Sequence, residues 1–193
     1  MVSLTLLQHD NKSQQGFTLV ELMTAIAVVG ILSTIGIGSY TRITGREKVN
    51  AVTIGLAGWI DQVRKASTLG SSCTATINQA ITPDSIIATA ALTSTTQTAI
   101  ERSTCVPAFS MSELSGPSSS RSTYSINSNN MSGIQTVVQF TPRGTLVLPS
   151  ENSSIDITVQ LLPSGPSRCI SIKDLIANIA ISKGEDCGDQ ERF

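Results

Sequence analysis

Residues 17–40 read FTLVELMTAIAVVGILSTIGIGSY, an unbroken apolar run that holds a single charge, Glu21. As an α-helix the run would be about 36 Å long at 1.5 Å per residue, enough to cross a bilayer core of about 30 Å. A polar segment, residues 1–16, comes first, with Asp10 and Lys12 as its only formal charges and Gly16 at its end. A secretory signal has its small-residue cleavage site beyond the apolar stretch. Here Ala25-Ile26-Ala27 lies inside the stretch and nothing suitable follows it.

Past Tyr40 the helical pattern continues with a different character. Val49, Val52, Leu56, Trp59 or Ile60, and Val63 recur at spacings of three and four, while Arg46, Glu47, Lys48, Asp61, Gln62, Arg64 and Lys65 fall between them. That periodicity predicts an amphipathic helix over 41–66 with one face for a core. Gly45, Gly55 and Gly58 weaken it, each by roughly 1 kcal/mol relative to Ala.

Residues 67–193 are expected to form a β-rich head. Asp84 is the one charge between Ala66 and Ile100, and Gly116-Pro117-Ser118-Ser119-Ser120 and Asn127-Ser128-Asn129-Asn130 read as loops. Ile86–Leu92 fits a short helix or a strand. Gly133–Thr141 is rich in β-branched residues, Pro142-Arg143-Gly144 reads as a turn, and Thr145–Leu148 returns. Ile155, Ile157, Val159 and Leu161 alternate with Asp156, Thr158 and Gln160, the period-two signature of a half-buried strand. Pro163-Ser164-Gly165-Pro166 is a further turn, and Cys169–Ile172 and Leu175–Ile181 are candidate last strands.

Composition excludes several classes of function. Charged residues make up 14% of the chain, against about 25% in typical globular proteins. The net charge of −1 supplies no global field to attract nucleic acid. His9 is the only histidine, so removal of the first 16 residues would leave no Ser-His-Asp or Cys-His catalysis and no histidine-ligated metal. With no paired-carboxylate or glycine-rich phosphate motif either, no enzyme activity and no cofactor are expected. Cys73, Cys105, Cys169 and Cys187 form no CxxC pair. An even count behind a membrane-targeting segment favours disulfides, and four cysteines permit three pairings.

The junction itself is the most informative motif. Gly16 is small, Phe17 is bulky, and a carboxylate, Glu21, sits at the fifth position after the glycine. Gly16-Phe17-Thr18-Leu19-Val20-Glu21 resembles the cleavage motif of type IV prepilins and type II secretion pseudopilins. The resemblance implies a leader at 1–16, cleavage after Gly16 by a membrane-embedded prepilin peptidase, and N-methylation of Phe17 by the same enzyme. It also implies that Glu21 neutralises the N-terminus of a neighbouring subunit, an assembly role consistent with the cost of about 2.5–3.5 kcal/mol for a lone charge in a membrane helix. The chain departs from the family in two places. Its leader carries a single basic residue, Lys12, and Gly38 stands where major pilins often have proline; Gly36 and Gly38 are the candidate weak point of the helix.

The fold implied is α+β and pilin-like, with a long N-terminal helix, membrane-spanning over 17–40, packed on a C-terminal antiparallel β-sheet head. Val138–Thr145 (VQFTPRGT) resembles the central turn of GspH/FimT-type minor pilins and pseudopilins. Sequential pairing, Cys73–Cys105 and Cys169–Cys187, is the expected disulfide pattern, the second tying the tail to the sheet as in pilins. The partners implied are prepilin peptidase, other pilin or pseudopilin subunits, an inner-membrane assembly platform and the lipid bilayer. Direct DNA binding is not expected, because Lys173-Asp174-Leu175-Ile176-Ala177-Asn178 lacks the arginines through which some FimT-like pilins bind it. The location implied is the bacterial inner membrane as a single-pass protein with its head in the periplasm, then a pilus at the cell surface or a periplasmic pseudopilus. A membrane enzyme and an anchored adhesin that never assembles are the competing classes.

Overall fold

The computed structural model describes residues 16–70, 72–93, 105–114, 122–148, 154–184 and 187, with the side chains of 35–39 outside that description. The leader reading with His9, the loop reading at 116–120 and the acidic residues around Cys187 lie outside the described residues. The chain divides into two units, Met1–Thr41 and Arg42–Phe193.

One helix, α1, runs from Leu19 to Ser67 and is helical through Gly36 and Gly38. In the second unit its predicted apolar face is the buried one: Val49, Val52, Leu56, Ile60 and Val63 have no exposed surface and Trp59 has 5%. Near the end of α1, Arg64 and Lys65 reach back to Asp61 at 2.8 and 2.7 Å. The hydrogen bond from Lys65, aided by Arg64 and opposed by partial burial, holds the Asp61 carboxyl below its ordinary value. A depressed carboxyl stabilises the fold above its ordinary pKa, and that contribution is lost as the pH falls through the depressed value.

The strands are β1 (Cys73–Asn78), β2 (Ala80–Ile81), β3 (Ile86–Leu92), β4 (Phe109–Ser110), β5 (Tyr124–Ser128), β6 (Met131–Ser132), β7 (Gln135–Phe140), β8 (Leu146–Val147), β9 (Ser154–Leu161), β10 (Ser167–Lys173) and β11 (Asn178–Lys183). Two sheets form, in the orders β4-β3-β1-β7-β6, with β8 on β7, and β11-β10-β9-β5-β2. All the pairings are antiparallel. The fold is therefore α+β as expected, a long helix packed against antiparallel sheet, but the head has two sheets rather than one. The switch is made at Gln79, between β1 and β2. Its N–H donates to Ile134 O on one side and its carbonyl accepts from Ile126 N–H of β5 on the other. Ile77, Val138 and Phe140 from the first sheet and Ile126, Ile157, Ile170 and Ile172 from the second join the buried face of α1 in one core.

One open local reading is decided and one changes. Ile86–Leu92 is a strand, paired with β1 along most of its length; small residues such as Ala88 and Ala90 carry little local preference, and pairing decides them. The last strand begins at Asn178, because Asp174–Ala177 closes a turn in which Ala177 N–H donates to Asp174 O at 3.0 Å.

Cys73 is bonded to Cys105, with Cα atoms 6.1 Å apart, and Cys169 to Cys187, with Cα atoms 5.4 Å apart. In the chain-entropy account each closure contributes about 3–4 kcal/mol.

Gly55 and Gly58 look alike in sequence and differ in the fold. A Cβ on Gly55 would lie 2.8 Å from Phe109 Cζ and 3.0 Å from Leu114 Cδ2, whereas one on Gly58 meets nothing within 4 Å. Phe109 is itself held in a stack with Trp59, whose indole N–H donates to Pro107 O at 2.9 Å. Gly55→Ala is expected to lower stability by about 1–3 kcal/mol through overpacking. Gly58→Ala should raise it by about 0.5–1 kcal/mol through helix propensity. Denaturant melts of the two variants check the opposite signs.

Candidate functional site

The helix begins immediately after the candidate cleavage bond. Gly16, Phe17 and Thr18 are non-helical, and Leu22 N–H donates to Thr18 O at 3.1 Å as the first helical bond. Thr18 is the N-cap: its Oγ1 accepts from Glu21 N–H at 3.2 Å. Thr18-Leu19-Val20-Glu21 thus has the Ser/Thr-x-x-Glu order of a capping box, which halts the helix one residue short of Phe17. Sequence reasoning gave Glu21 an assembly role and missed the N-cap at Thr18, although the spacing was there to read. Glu21 also lies in the first turn, where a negative charge is favoured by the helix dipole.

The Gly16-Phe17 bond therefore lies in non-helical, exposed chain. Phe17 is 84% exposed, and a Cβ built on Gly16 meets nothing within 4 Å. Among the described residues the glycine answers to no packing.

All residues of 16–34 are exposed, and the large apolar side chains among them range from Val28 at 56% to Phe17 at 84%. An apolar surface of this extent calls for a cover. The hydroxyls on it are already turned inward. Thr24 donates to Glu21 O, Ser33 to Val29 O and Thr34 to Ile31 O at 2.7–2.9 Å, so each is satisfied by the helix's own backbone. Glu21 differs, since among the described residues its carboxylate has no ion-pair partner. Among the described residues no helix is long and apolar enough to cross a membrane. The fully described apolar stretch of α1, Leu19 to Thr34, is 16 residues, or about 24 Å at 1.5 Å per residue.

The other resembling segment, Val138–Thr145, covers the end of β7 and the turn into β8. Thr141 N–H donates to Thr145 O at 2.9 Å and Gly144 N–H to Thr141 O at 2.8 Å. Gly144 has φ +73°, and a Cβ there would lie 2.7 Å from Thr68 Cγ2, just past the end of α1. Left-handed backbone and close approach both require glycine. Gly144→Ala is expected to cost about 2–4 kcal/mol, read as a lower melting temperature of the full chain, while Arg143, exposed in the same turn, tolerates Ala.

Among the described residues no three His, Cys, Asp or Glu are grouped to hold a metal ion.

Residues 11–37 match the family model of the prokaryotic N-terminal methylation motif, the signal of type IV pilins and pseudopilins. The match begins before Gly16 and ends just beyond Gly36, covering the Gly16-Phe17 bond and most of the apolar run. No solved structure matches the chain. The motif marks a structural rather than an enzymatic class of protein. It implies processing by prepilin peptidase, assembly with other pilins and a membrane-anchored form before assembly.

Proposed function

We propose that the chain is a minor type IV pilin whose leader, residues 1–16, is removed at Gly16-Phe17 and whose new N-terminus, Phe17, is methylated. Residues 17–40 then hold it in the inner membrane as a single span, with the head, 67–193, in the periplasm and 41–66 joining the two. Assembly moves the apolar span from lipid to neighbouring subunits, and Glu21 pairs there with the cationic amine of an adjacent Phe17. Gly36 and Gly38 are the place where this span can loosen on assembly. The GspH/FimT-like turn at Val138–Thr145 supports a minor subunit that joins or primes a pilus serving motility, adhesion or DNA uptake.

The observation that carries this reading is the contrast on the apolar surface of α1. Each described hydroxyl bonds back to the helix, while Glu21 alone offers an unmatched charge. A surface built for lipid has no use for that carboxylate. A surface that later meets a freed amine does, because pairing offsets the desolvation of both ions.

N-terminal mass spectrometry of the native protein tests the proposal. It should find a chain that starts at N-methylated Phe17. A chain that starts at Met1, or a head released without α1, overturns it. The same turn at Val138–Thr145 also supports a second reading, a GspH-like pseudopilin of a type II secretion system. A deletion strain that keeps its pili and loses secretion selects that alternative.

A further inference from the structure

The turn between β10 and β11 departs from the chemistry that a tight turn ordinarily uses. Lys173 and Asn178 stand opposite each other at the end of the ladder, and Asp174–Ala177 reverses the chain between them. Central turn positions favour Gly, Pro, Asn, Asp and Ser. Here they hold Leu175 and Ile176, which among the described residues are 66% and 69% exposed. Asp174 and Ala177 on either side are left-handed, with φ of +62° and +55°, a conformation that is costly for a residue with a Cβ. The surrounding fold enforces it. The Leu146 N–H donates to Leu175 O at 3.0 Å and the Arg64 guanidinium to Ile176 O at 3.1 Å, while Asp61 holds Arg64 at 2.8 Å. Both carbonyls are drawn inward, and both apolar side chains are left outside on a braced backbone. Strain kept in a rigid turn that exposes two large apolar residues points to a contact made outside the chain.

The neighbours of this turn are apolar and basic. Leu69, just past the end of α1, is 75% exposed and Val147 of β8 is 41% exposed. The approach of Gly144 to Thr68 and the bond from Leu146 to Leu175 bring these segments together. Arg143 is exposed, Lys173 leads into the turn half-buried, and Lys65 is 71% exposed. The described carboxylates here are Asp174 and Asp61, the latter already paired with Arg64 and Lys65. We propose that this end of the head docks on the surface of an anionic bilayer, with Leu175 and Ile176 entering the interface and Arg143, Lys173 and Lys65 facing the headgroups. Apolar side chains gain from burial at the acyl boundary, and each nearby Lys or Arg adds attraction to anionic lipid. A turn already fixed in shape loses little conformational freedom on docking. The bilayer meant is a second one, distinct from that proposed to hold residues 17–40. The turn lies against Arg64, about 33 Å along α1 from Arg42 at 1.5 Å per residue. The contact goes beyond cleavage and assembly and depends on neither.

Flotation of the full-length chain, carried in phosphatidylcholine nanodiscs and mixed with separate vesicles, tests it. Discs that carry the chain should rise with phosphatidylglycerol vesicles about tenfold more than with phosphatidylcholine vesicles, and empty discs should rise with neither. Leu175→Ser combined with Ile176→Ser should cut that capture by about tenfold or more. Its melting temperature should match wild type, because both side chains are exposed. Arg143→Gln combined with Lys173→Gln should weaken capture by phosphatidylglycerol vesicles by about tenfold. Undiminished capture of the Leu175→Ser, Ile176→Ser chain overturns the proposal, as does equal capture by the two lipids. Discs that ignore vesicles and pair with one another through the same residues also overturn it, and assign the turn to a second copy of this chain.

Discussion

A chain carrying Glu21→Gln should be cut after Gly16 at the normal rate and then be missing from the assembled fibre. The choice of Gln matters. Glutamine keeps the size and polarity of Glu21 at N3, beside the Thr18 cap to which its backbone N–H donates, and removes only the charge on an otherwise uncharged surface. Glutamine serves nearly as well as glutamate at N3, so the helix start survives and the cleavage bond keeps its setting. On the proposed assembly, what is lost is the partner of the freed amine on the neighbouring subunit. Leaving one ion of a buried pair unmatched costs about 3–5 kcal/mol, which corresponds to a loss of incorporation of about a hundredfold or more. Immunoblots of sheared fibres against membrane fractions give the ratio directly. Incorporation of Glu21→Gln at the wild-type level would overturn the proposed charge pairing.

Gly16→Ala should give the opposite phenotype, an uncut precursor with an unaltered fold. Among the described residues a Cβ on Gly16 meets no atom within 4 Å, so their packing gives no reason for a glycine. On the proposed reading, the requirement lies in the peptidase that binds the junction. One added methyl in a close-fitting pocket lowers turnover by about 10–200-fold. The precursor should accumulate as the slower-migrating band on a gel, while the melting temperature of the head stays that of wild type. Rapid processing of Gly16→Ala would mean that the pocket is roomy there and that Phe17 alone marks the site. The two variants divide the junction cleanly, one defective before the cut and one after it.

The legibility of this protein follows the range of the interactions involved. The apolar run of 17–40 and the methylation motif that overlaps it were plain because each depends on neighbours a few residues away. The buried face of α1 from Val49 to Val63 was plain for the same reason, since helical periodicity is local. Thr18-x-x-Glu21 was equally local, and it was passed over because the carboxylate already had an explanation. Tertiary structure alone decided the rest. Nothing near Gln79 says that its N–H and carbonyl will serve different sheets, and Ile86–Leu92 takes its form from β1. Gly55 and Gly58 differ only in what packs on them, Phe109 and Leu114 or open space. Gly144 is required by Thr68, far away along the chain. Leu175 and Ile176 read as the start of a strand until the Leu146 N–H and the Arg64 guanidinium, both far along the chain, hold their carbonyls in a turn. Sequence patterns report which face of an element will be buried; which distant element buries it is decided only when the whole core closes.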